Sequence, residues 1–323
     1  MSWPPVSVVM PVLNEERHLA ESVAQIQAQD YPGEWELVLA LGPSTDGTDA
    51  IAGDLSATDP RIKLIENPSG ATPAGLNAAI GVAAHDLVVR VDGHALFPPD
   101  YLRVAVEVLQ ATGADNVGGV MAAEGTTPFE EAVAAAMTSR LGVGAARFHT
   151  GGAEGPAETV YLGAFRRAAL QRVGGYDESF ARAQDWEMNH RIRQTGGTVW
   201  FTPRMRVTYR PRSTVRALAR QYRDYGRWRR VVARQHRGTV TPRYLAPPLA
   251  LVGVITGTAA GVLGLRAGWL LPGGYALVVL GGSAVIGSRL PWRSAVRLPV
   301  VLPVMHLAWG WGFLSSPARL AQP

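Results

Sequence analysis

The sequence contains no cysteine, almost no lysine and few charged residues of either sign. The absence of cysteine excludes disulfide bonds, thiolate nucleophiles and cysteine-ligated zinc. Lys63 is the only lysine, so arginine carries nearly all of the positive charge in a chain of net charge +5. Charged residues make up 18% of the 323 residues, against about a quarter in an average soluble protein. This deficit indicates that part of the chain is not ordinary soluble protein.

The deficit of charge lies almost entirely in the C-terminal part of the chain. Three stretches contain no charged residue: Leu245–Leu265, Ala267–Ser288 and Leu298–Ser316. Each has about 20 residues, the length that a helix needs to cross ~30 Å of hydrocarbon. They predict three transmembrane helices over residues 244–316. A buried helical hairpin in a soluble protein is the alternative interpretation.

Two further features of this region concern packing and partners. Glycines recur every four residues at Gly253, Gly257 and Gly261, which predicts a helix face that another helix approaches closely. Arginines crowd into Arg204–Arg243, directly before the apolar region, where they would face anionic lipid headgroups. No nucleic-acid-binding motif accompanies them, so the predicted partners are membrane lipids and not nucleic acid.

The placement of arginine also predicts an orientation in the membrane. The end of the N-terminal region is rich in arginine over Arg204–Arg243, and the loop with Arg289, Arg293 and Arg297 is also basic. The first short loop has only Arg266, and the tail has only Arg319. Three crossings would then place the N-terminal domain inside the cell and the C-terminus outside.

The N-terminal region has the alternating pattern of an α/β domain. Continuous apolar runs predict strands buried on both faces, and the segments between them have helical spacing. The predicted strands are Val6–Val12, Trp35–Leu41, Arg61–Glu66 and Leu87–Val91, and the predicted helices are Glu15–Gln29, a segment ending at Leu55, Gly75–Ala84 and Trp186–Gln194. This alternation predicts a doubly wound, mostly parallel sheet that binds ligands outside the carboxyl ends of its strands.

Polar or flexible residues follow each of these strands, namely Asn14, Asp46, Gly70 and Asp92. Because the carboxyl ends of parallel strands meet at one edge of a sheet, we expect these residues to lie along one ligand-binding edge. Asp92-Gly93-His94 presents a carboxylate and an imidazole directly after the fourth strand. Oxygen ligands suit Mg²⁺ or Mn²⁺, and an imidazole favours Mn²⁺. A surface turn is the alternative interpretation of this tripeptide.

Several motifs occur in the order that family-2 glycosyltransferases of the GT-A fold have them. Val8–Glu16 (VVMPVLNEE) resembles their opening strand, Ser44–Thr48 (STDGT) their second turn, and Asn67–Ala78 their third. Asp92-Gly93-His94 stands where these enzymes carry Asp-x-Asp. The succinoglycan-biosynthesis-type glucosyltransferases are the most similar subgroup, because they have Asp-Ala-His there and share the pattern of Gln184–Asn189 (QDWEMN). The match covers roughly residues 5–235, and its specificity lies in the ordered set of motifs.

The resemblance implies a role for each matching residue in the nucleotide pocket. Pro11, Asn14, Glu15 and Asp46 would line this pocket, and Gly70 would let the backbone approach the nucleotide. An acidic residue favoured by the dipole of a following helix is the alternative interpretation of Glu15.

The resemblance also implies the chemistry of transfer. Asp92 and His94 would hold Mn²⁺ or Mg²⁺ on the diphosphate of the donor, which makes Asp92 part of the donor site as well. Asp185 would be the general base that takes the proton from the acceptor hydroxyl. The alternative for Asp185 is the N-cap of the helix Trp186–Gln194.

Two positions differ from, or only partly match, the pattern of the family. Arg220–Arg229 is similar to the Gln-x-x-Arg-Trp element of related synthases, which implies that Gln221 and Arg227 contact the donor and that Trp228 stacks near the acceptor. An amphipathic helix resting on lipid headgroups is the alternative interpretation. Leu41 stands where many relatives carry an acidic residue that contacts the nucleobase, so UDP is only the default prediction for the donor nucleotide.

Together these features predict a membrane-anchored, metal-dependent, inverting glycosyltransferase of cell-envelope polysaccharide biosynthesis. The predicted organisation is a GT-A domain over 1–212, an interfacial helical segment over 213–243, three transmembrane helices over 244–316 and a tail over 317–323. The GT-A domain would face the cytoplasm and move a sugar to a hydroxyl of a lipid-linked or membrane-proximal glycan. Two alternatives stay open: a polyprenyl-phosphate sugar synthase, and a non-catalytic nucleotide-sugar-binding membrane protein.

Overall fold

The computed structural model describes residues 3–318 and residue 320, so the first two residues and part of the predicted tail, including Arg319, lie outside the described residues. The chain divides into two compact units. The first unit contains the residues up to Ala122 together with Gly151–Tyr209. The second contains Ala123–Thr150 together with the chain from Arg210 onward. The predicted domain boundaries did not group Ala123–Thr150 with the C-terminal helices. Those boundaries stay a prediction.

The first unit is built on one eight-stranded mixed sheet. Its strands are β1 (Val6–Val12), β2 (Trp35–Leu41), β3 (Ile62–Glu66), β4 (Leu87–Arg90), β5 (Asn116–Ala123), β6 (Gly155–Pro156), β7 (Tyr161–Arg166) and β8 (Val199–Tyr209). They lie in the order β3-β2-β1-β4-β7-β5-β8-β6. Strands β3, β2, β1 and β4 are parallel, whereas β7 is antiparallel to both β4 and β5. The parallel half is the α/β architecture that the sequence predicts.

The helices are numbered along the whole chain. They are α1 (Leu19–Gln27), α2 (Thr48–Thr58), α3 (Thr72–Val82), α4 (Tyr101–Thr112), α5 (Pro128–Met137), α6 (Arg140–Val143), α7 (Arg147–Thr150), α8 (Arg167–Val173), α9 (Gln184–Gln194), α10 (Val215–Gln235), α11 (Pro242–Val262), α12 (Leu270–Gly287), α13 (Trp292–Ala295) and α14 (Leu298–Leu314), with a 3₁₀ turn at Arg266–Trp269. Helices α5 to α7 and α10 to α14 belong to the second unit, and the others belong to the first.

Strands β1 and β2 have the bounds that the apolar runs predict, because residues on both faces of each strand are buried. In β1, Val8 and Met10 join one hydrophobic core while Val9 joins another, as expected for alternating side chains covered on both sides. The predicted start of the first helix at Glu15 is wrong, since α1 begins at Leu19. The intervening residues form a hydrogen-bonded turn, in which the carbonyl oxygen of Glu15 accepts from the N–H of Leu19, and the N–H groups of Asn14, Glu15 and Glu16 donate to the loop after β2.

Two segments of the second unit have the length and composition of membrane-spanning helices. They are Pro242–Val262 and Arg266–Gly287, and only 11% and 17% of their most apolar windows are buried. Such exposed apolar faces favour membrane helices over the buried hairpin that the sequence left open. The third predicted span contains α14, a helix of 17 residues with several buried side chains. A third membrane crossing therefore stays a prediction.

Small residues bring the first two of these segments into close contact. A Cβ placed on Gly257 would lie 2.7 Å from the carbonyl oxygen of Gly268, and one on Gly261 would lie 2.5 Å from Cε2 of Trp269. Gly253 has open space around it. The glycine face predicted from the sequence is thus confirmed at two of its three positions, where the absence of a side chain permits the approach.

Helices α10 and α14 also contact each other closely at glycine residues. A Cβ on Gly226 of α10 would clash with the carbonyl oxygen of Trp309, and one on Gly312 of α14 would clash with that of Arg223. Each glycine thus accepts the backbone of the other helix. The basic amphipathic helix of the second unit is therefore packed along part of the third apolar stretch.

Candidate active site

The parallel strands place the predicted polar residues at one edge of the sheet. Asn14, Asp46, Gly70 and Asp92 lie in the loops that follow β1, β2, β3 and β4. These strands are adjacent and parallel, so their carboxyl ends share an edge. This is the arrangement expected from the sequence, and it is where open α/β sheets bind their ligands.

Asn14 joins the loop after β1 to the loop after β2. Its backbone is in the left-handed conformation, with φ 55°, which asparagine adopts more readily than most residues. Its Oδ1 accepts a hydrogen bond from the backbone N–H of Thr45 at 2.8 Å, and its own N–H donates to Oγ of Ser44 at 3.1 Å. Asn14 is therefore a residue that shapes the edge, whichever ligand binds there.

Asp46 makes a second connection between the same loops. Its Oδ1 accepts a hydrogen bond from the N–H of Thr48 at 3.1 Å and another from the Thr48 hydroxyl, and its Oδ2 accepts one from the N–H of Glu16 at 3.3 Å. The hydrogen bond from the Thr48 side chain lowers the pKa of Asp46 from its ordinary value. Both oxygens thus bond to protein, which makes Asp46 a fixed, ionised part of the edge.

Gly70, Pro11 and Leu41 shape the same edge without polar side chains. Gly70 has φ +64°, and a Cβ there would lie 3.1 Å from Cδ of Pro43. A Cβ on Gly75 would lie 3.3 Å from Cβ of Pro11, so α3 packs closely against β1. Leu41 packs against the hydrophobic core. As a hydrocarbon, its side chain offers no hydrogen-bonding group to a nucleobase.

Glu15 lies against His94 and Gly93. Its Oε1 is 2.7 Å from Nδ1 of His94, and a Cβ on Gly93 would lie 3.2 Å from Cγ of Glu15. The backbone N–H of Glu15 donates to Oγ1 of Thr48 at 2.8 Å, which fixes the start of this loop. A carboxylate bonded to one ring nitrogen orients an imidazole so that the other nitrogen can bind a metal. The first helical turn, the alternative position for Glu15, is excluded because α1 begins later.

Asp92 and His94 could contribute ligands to a cation only together with groups of a substrate. Within residues 3–318 and 320, no group of three or more His, Asp or Glu side chains is arranged to enclose a metal ion. Mg²⁺ and similar ions are commonly held by one or two carboxylates together with substrate phosphates and water. The side chains of Asp92 and His94 are 21% and 52% exposed, so both can reach a ligand at the edge.

Asp185 joins Asp92 through a buried arginine. Nη1 of Arg90 donates to Oδ1 of Asp185, and Nε and Nη2 of Arg90 donate to Oδ1 of Asp92 at 3.3 and 3.1 Å. Asp185 lies in the first turn of α9, whose N-cap is Ala183, so the alternative interpretation of Asp185 as an N-cap is wrong. Ala183 has φ 62°, a strained value for alanine that is typical of functional sites.

The surroundings of Asp185 suit a proton acceptor. Burial raises the pKa of Asp185 to about 6; Arg90 opposes this increase, and Asp92 adds to it. A carboxylate with this pKa is a stronger base than an ordinary one and is still mostly ionised at neutral pH. Among the described residues, none donates a hydrogen bond to Oδ2 of Asp185, so this oxygen is available to a substrate.

Arg90 was not among the site residues predicted from the sequence, although the sequence contains a signal for it. Arg90 is a charged residue inside the apolar run Leu87–Val91, which was itself predicted to be a strand buried on both faces. A buried arginine requires a partner of opposite charge. That requirement predicts a nearby carboxylate, but it does not identify which one.

Gln221, Arg227 and Trp228 all lie on α10 in the second unit. Nε2 of Gln221 donates to the hydroxyl of Tyr225 at 3.0 Å, and Nη1 of Arg227 lies 4.0 Å from Oδ1 of Asp224. Trp228 is buried, with 8% of its surface exposed. Roles for these three residues at the donor or the acceptor stay predictions.

The match to a known family covers the residues at the edge of the sheet. The sequence model described as "Glycosyl transferase family 2" matches residues 7–174. This segment is more than half of the chain and includes Asn14, Asp46, Gly70, Asp92 and His94. The chain therefore belongs to glycosyl transferase family 2, and it is a glycosyltransferase.

Individual relatives agree with this assignment. The chain is 34% identical over 311 residues to the succinoglycan biosynthesis protein ExoA of Rhizobium meliloti (strain 1021), with 95% of this chain and 93% of that protein covered. The predicted resemblance to the succinoglycan type is thus confirmed. A Methanococcus voltae protein named dolichyl N-acetyl-alpha-D-glucosaminyl phosphate 3-beta-D-2,3-diacetamido-2,3-dideoxy-beta-D-glucuronosyltransferase is 24% identical over 231 residues, which cover 68% of this chain and 71% of that one.

A solved structure confirms the predicted GT-A fold. The mannosyltransferase PcManGT from Pyrobaculum calidifontis, in complex with GDP-Man and Mn²⁺, superposes with a TM-score of 0.67. The match covers 97% of this chain and 87% of that one, at 23% sequence identity. At this identity the likeness concerns the fold alone.

Proposed function

We propose that this chain is an inverting glycosyltransferase that moves a sugar from a nucleotide-sugar donor to a hydroxyl of a lipid-linked or membrane-proximal glycan. The observation that carries the proposal is the position of Asp185. Its carboxyl has a pKa of about 6, one of its oxygens is bonded to Arg90, and it belongs to the same ion-pair cluster as Asp92. A general base and a donor-binding carboxylate are thus neighbours at the ligand-binding edge.

The donor would lie along the edge formed by Pro11, Asn14, Glu15, Asp46 and Gly70. PcManGT, which shares the fold, is described as bound to GDP-Man and Mn²⁺, and this supports a nucleotide diphosphate sugar as the class of donor. The fixed loops after β1 and β2 favour a binding site that is formed before the donor arrives. UDP is the first nucleotide to test. GDP is the second, because Leu41 has no polar group that would favour one nucleobase over another.

Asp92 and His94 would hold a divalent cation on the donor diphosphate, with Glu15 orienting the imidazole. The residues suit Mn²⁺ or Mg²⁺, because both ions accept carboxylate and phosphate oxygens, and Mn²⁺ also accepts imidazole. Such a cation supplies Lewis-acid stabilisation of the charge on the leaving nucleotide. The ion in the PcManGT complex is Mn²⁺.

Asp185 would act on the acceptor. As the acceptor oxygen forms its bond to the anomeric carbon, Oδ2 of Asp185 takes the hydroxyl proton. The bond between the anomeric carbon and the diphosphate oxygen breaks, and the nucleoside diphosphate leaves with the electron pair. Attack opposite the leaving group inverts the configuration, so an α-linked donor gives a β-linked product.

The proposal of a lipid-linked acceptor rests on features of the second unit. Two of its segments have the length and composition of membrane-spanning helices, and 213–243 precedes them as a basic segment that would contact anionic lipids. The Methanococcus voltae relative is named for a dolichyl-phosphate-linked sugar, which supports a lipid-linked acceptor. We propose three crossings within 244–316, the tail 317–323 outside and the GT-A domain on the cytoplasmic face of the cell membrane.

The experiment that tests the function uses the full-length protein in detergent or nanodiscs. UDP-, GDP- and dTDP-sugars are supplied with Mn²⁺, with Mg²⁺ or with EDTA, and the release of nucleoside diphosphate is measured. We expect release with at least one donor, and at least a tenfold decrease with EDTA. Asp54→Asn, an exposed carboxylate on α2, is the matched control and should behave as wild type.

Two outcomes would contradict the proposal. Donor binding without any release of nucleotide would favour a non-catalytic nucleotide-sugar-binding protein. Transfer to a polyprenyl phosphate, with no transfer to a glycan hydroxyl, would favour a polyprenyl-phosphate sugar synthase. Membrane topology is tested separately, by the accessibility of single cysteines introduced into this cysteine-free chain.

A further inference from the structure

We propose that Arg90 is a positioning residue that ties the base Asp185 to the cation ligand Asp92 through one buried guanidinium. The inference rests on the proposed function, because it assigns Arg90 a task in that same site. The three residues form a cluster that joins the end of β4 to the first turn of α9, across 95 residues of sequence.

Arg90 occupies a position from which its charge cannot reach water. It pairs in register with Val9 of β1 on one side and with Gly163 of β7 on the other, so it lies in the middle of the sheet. Its side chain is only 4% exposed and lies near the ring of Tyr176, whose centroid is 6.0 Å from the guanidinium carbon. A charge in such a place is stable only when it is paired and hydrogen-bonded.

The hydrogen bonds of Arg90 determine the relative position of the two carboxylates. Nη1 bonds to Asp185, while Nε and Nη2 both bond to a single oxygen of Asp92. A guanidinium is planar, and its N–H groups point in fixed directions. Two carboxylates bonded to different edges of one guanidinium are therefore held at a fixed distance and angle.

The same bonds leave one oxygen of each carboxylate for a substrate. Arg90 bonds to Oδ1 of Asp185 and to Oδ1 of Asp92, and no residue within 3–318 and 320 donates to Oδ2 of either side chain. Both side chains are also partly exposed, at 24% and 21%. Arg90 thus orients one oxygen towards the acceptor and another towards the cation on the donor. A displacement of about 1 Å between such groups costs roughly 10²-fold in rate.

The competing interpretation is a buried ion pair that only stabilises the fold. A double-mutant cycle on kcat separates the two interpretations, because a positioning residue acts through Asp185 and a merely structural one does not. The full-length variants Arg90→Met, Asp185→Asn and their combination are compared under single-turnover conditions. We expect Arg90→Met to lower kcat about 100-fold in the wild-type background and less than about threefold in the Asp185→Asn background.

Two further variants control for folding. Arg90→Lys keeps the charge but lacks the fork of donors, and we expect it to lower kcat about tenfold. Arg167, which donates to the carbonyl oxygens of Ile80 and His85, is a structural arginine of the same unit. Arg167→Met should lower the melting temperature and change kcat at 20 °C by less than about twofold.

A second measurement does not depend on activity. Arg90→Met should lower the melting temperature by about 10 °C, because it leaves two carboxylates without their buried cation. Adding Asp92→Asn and Asp185→Asn should restore most of this loss. If the wild-type protein releases nucleotide from no donor, the proposed function fails, while this thermal cycle still reports on the cluster. Equal losses of kcat in both backgrounds, or no thermal coupling, would overturn the role of Arg90.

Discussion

Two aspartates of the first unit, Asp46 and Asp185, belong to regions with opposite physical character. Asp46 lies in the loop after β2, accepts three hydrogen bonds from neighbouring residues and has a lowered pKa. Asp185 lies in the first turn of α9, has one arginine partner and has a pKa raised to about 6. Several hydrogen bonds stabilise the charged form of a carboxylate, whereas burial destabilises it.

This comparison shows how one residue type serves two purposes in one site. The loop region bonds both oxygens of its carboxylate, which fixes the backbone of the two loops. The region around α9 bonds only one oxygen of its carboxylate, which leaves the other oxygen available to a substrate. Incomplete hydrogen bonding together with burial, and not acidity or exposure alone, is therefore what makes Asp185 the candidate base.

The largest expected effect comes from Asp185→Asn. The amide cannot accept the acceptor proton in the transition state, so we expect kcat to fall about 10³-fold, within the range for a lost general base. The KM for the donor should change less than about threefold, because Asp185 acts on the acceptor. Steady-state transfer of a radiolabelled sugar measures both constants. Activity within tenfold of wild type would instead favour a phosphate acceptor, which needs no strong base.

The second effect is a loss of activity in acid. Asp185 must be ionised to accept a proton, and its pKa is about 6, so kcat should fall about tenfold for each pH unit below ~6 and level off above it. Asp46 contributes nothing to this limb, because its lowered pKa keeps it ionised throughout that range. A pH profile between 4.5 and 8, with thermal stability measured at each pH, separates this effect from acid unfolding. A profile without an acid limb in this range would contradict the assignment of the base.

The smallest effect should come from Asp46→Asn. The amide retains one acceptor oxygen but loses one of the charge-assisted hydrogen bonds that join the loops after β1 and β2. The two loops would then be held together less firmly, so the KM for the donor should rise roughly three- to tenfold. The kcat should stay within about twofold of wild type. A loss of kcat comparable with that of Asp185→Asn would show that both carboxylates take part in the chemistry.

The parallel half of the fold could be predicted because its signals are local. β1 and β2 have the predicted bounds, since each is a continuous apolar run that ends at turn-forming residues. The common edge for Asn14, Asp46, Gly70 and Asp92 followed from the geometry of parallel strands. The start of α1 was predicted four residues too early, because no local pattern shows that Asn14 and Glu15 bond to the loop after β2, 30 and 33 residues away in sequence.

The sequence by itself determined the family, the parallel sheet, the ligand-binding edge and two segments with the character of membrane helices, because each depends on apolar runs and short motifs. Only the tertiary structure revealed the cluster of Arg90, Asp92 and Asp185. Arg90 and Asp185 are 95 residues apart, and their contact depends on how α9 packs against β4. No local pattern encodes that contact, because the free energy that favours it arises only when the charges are buried together.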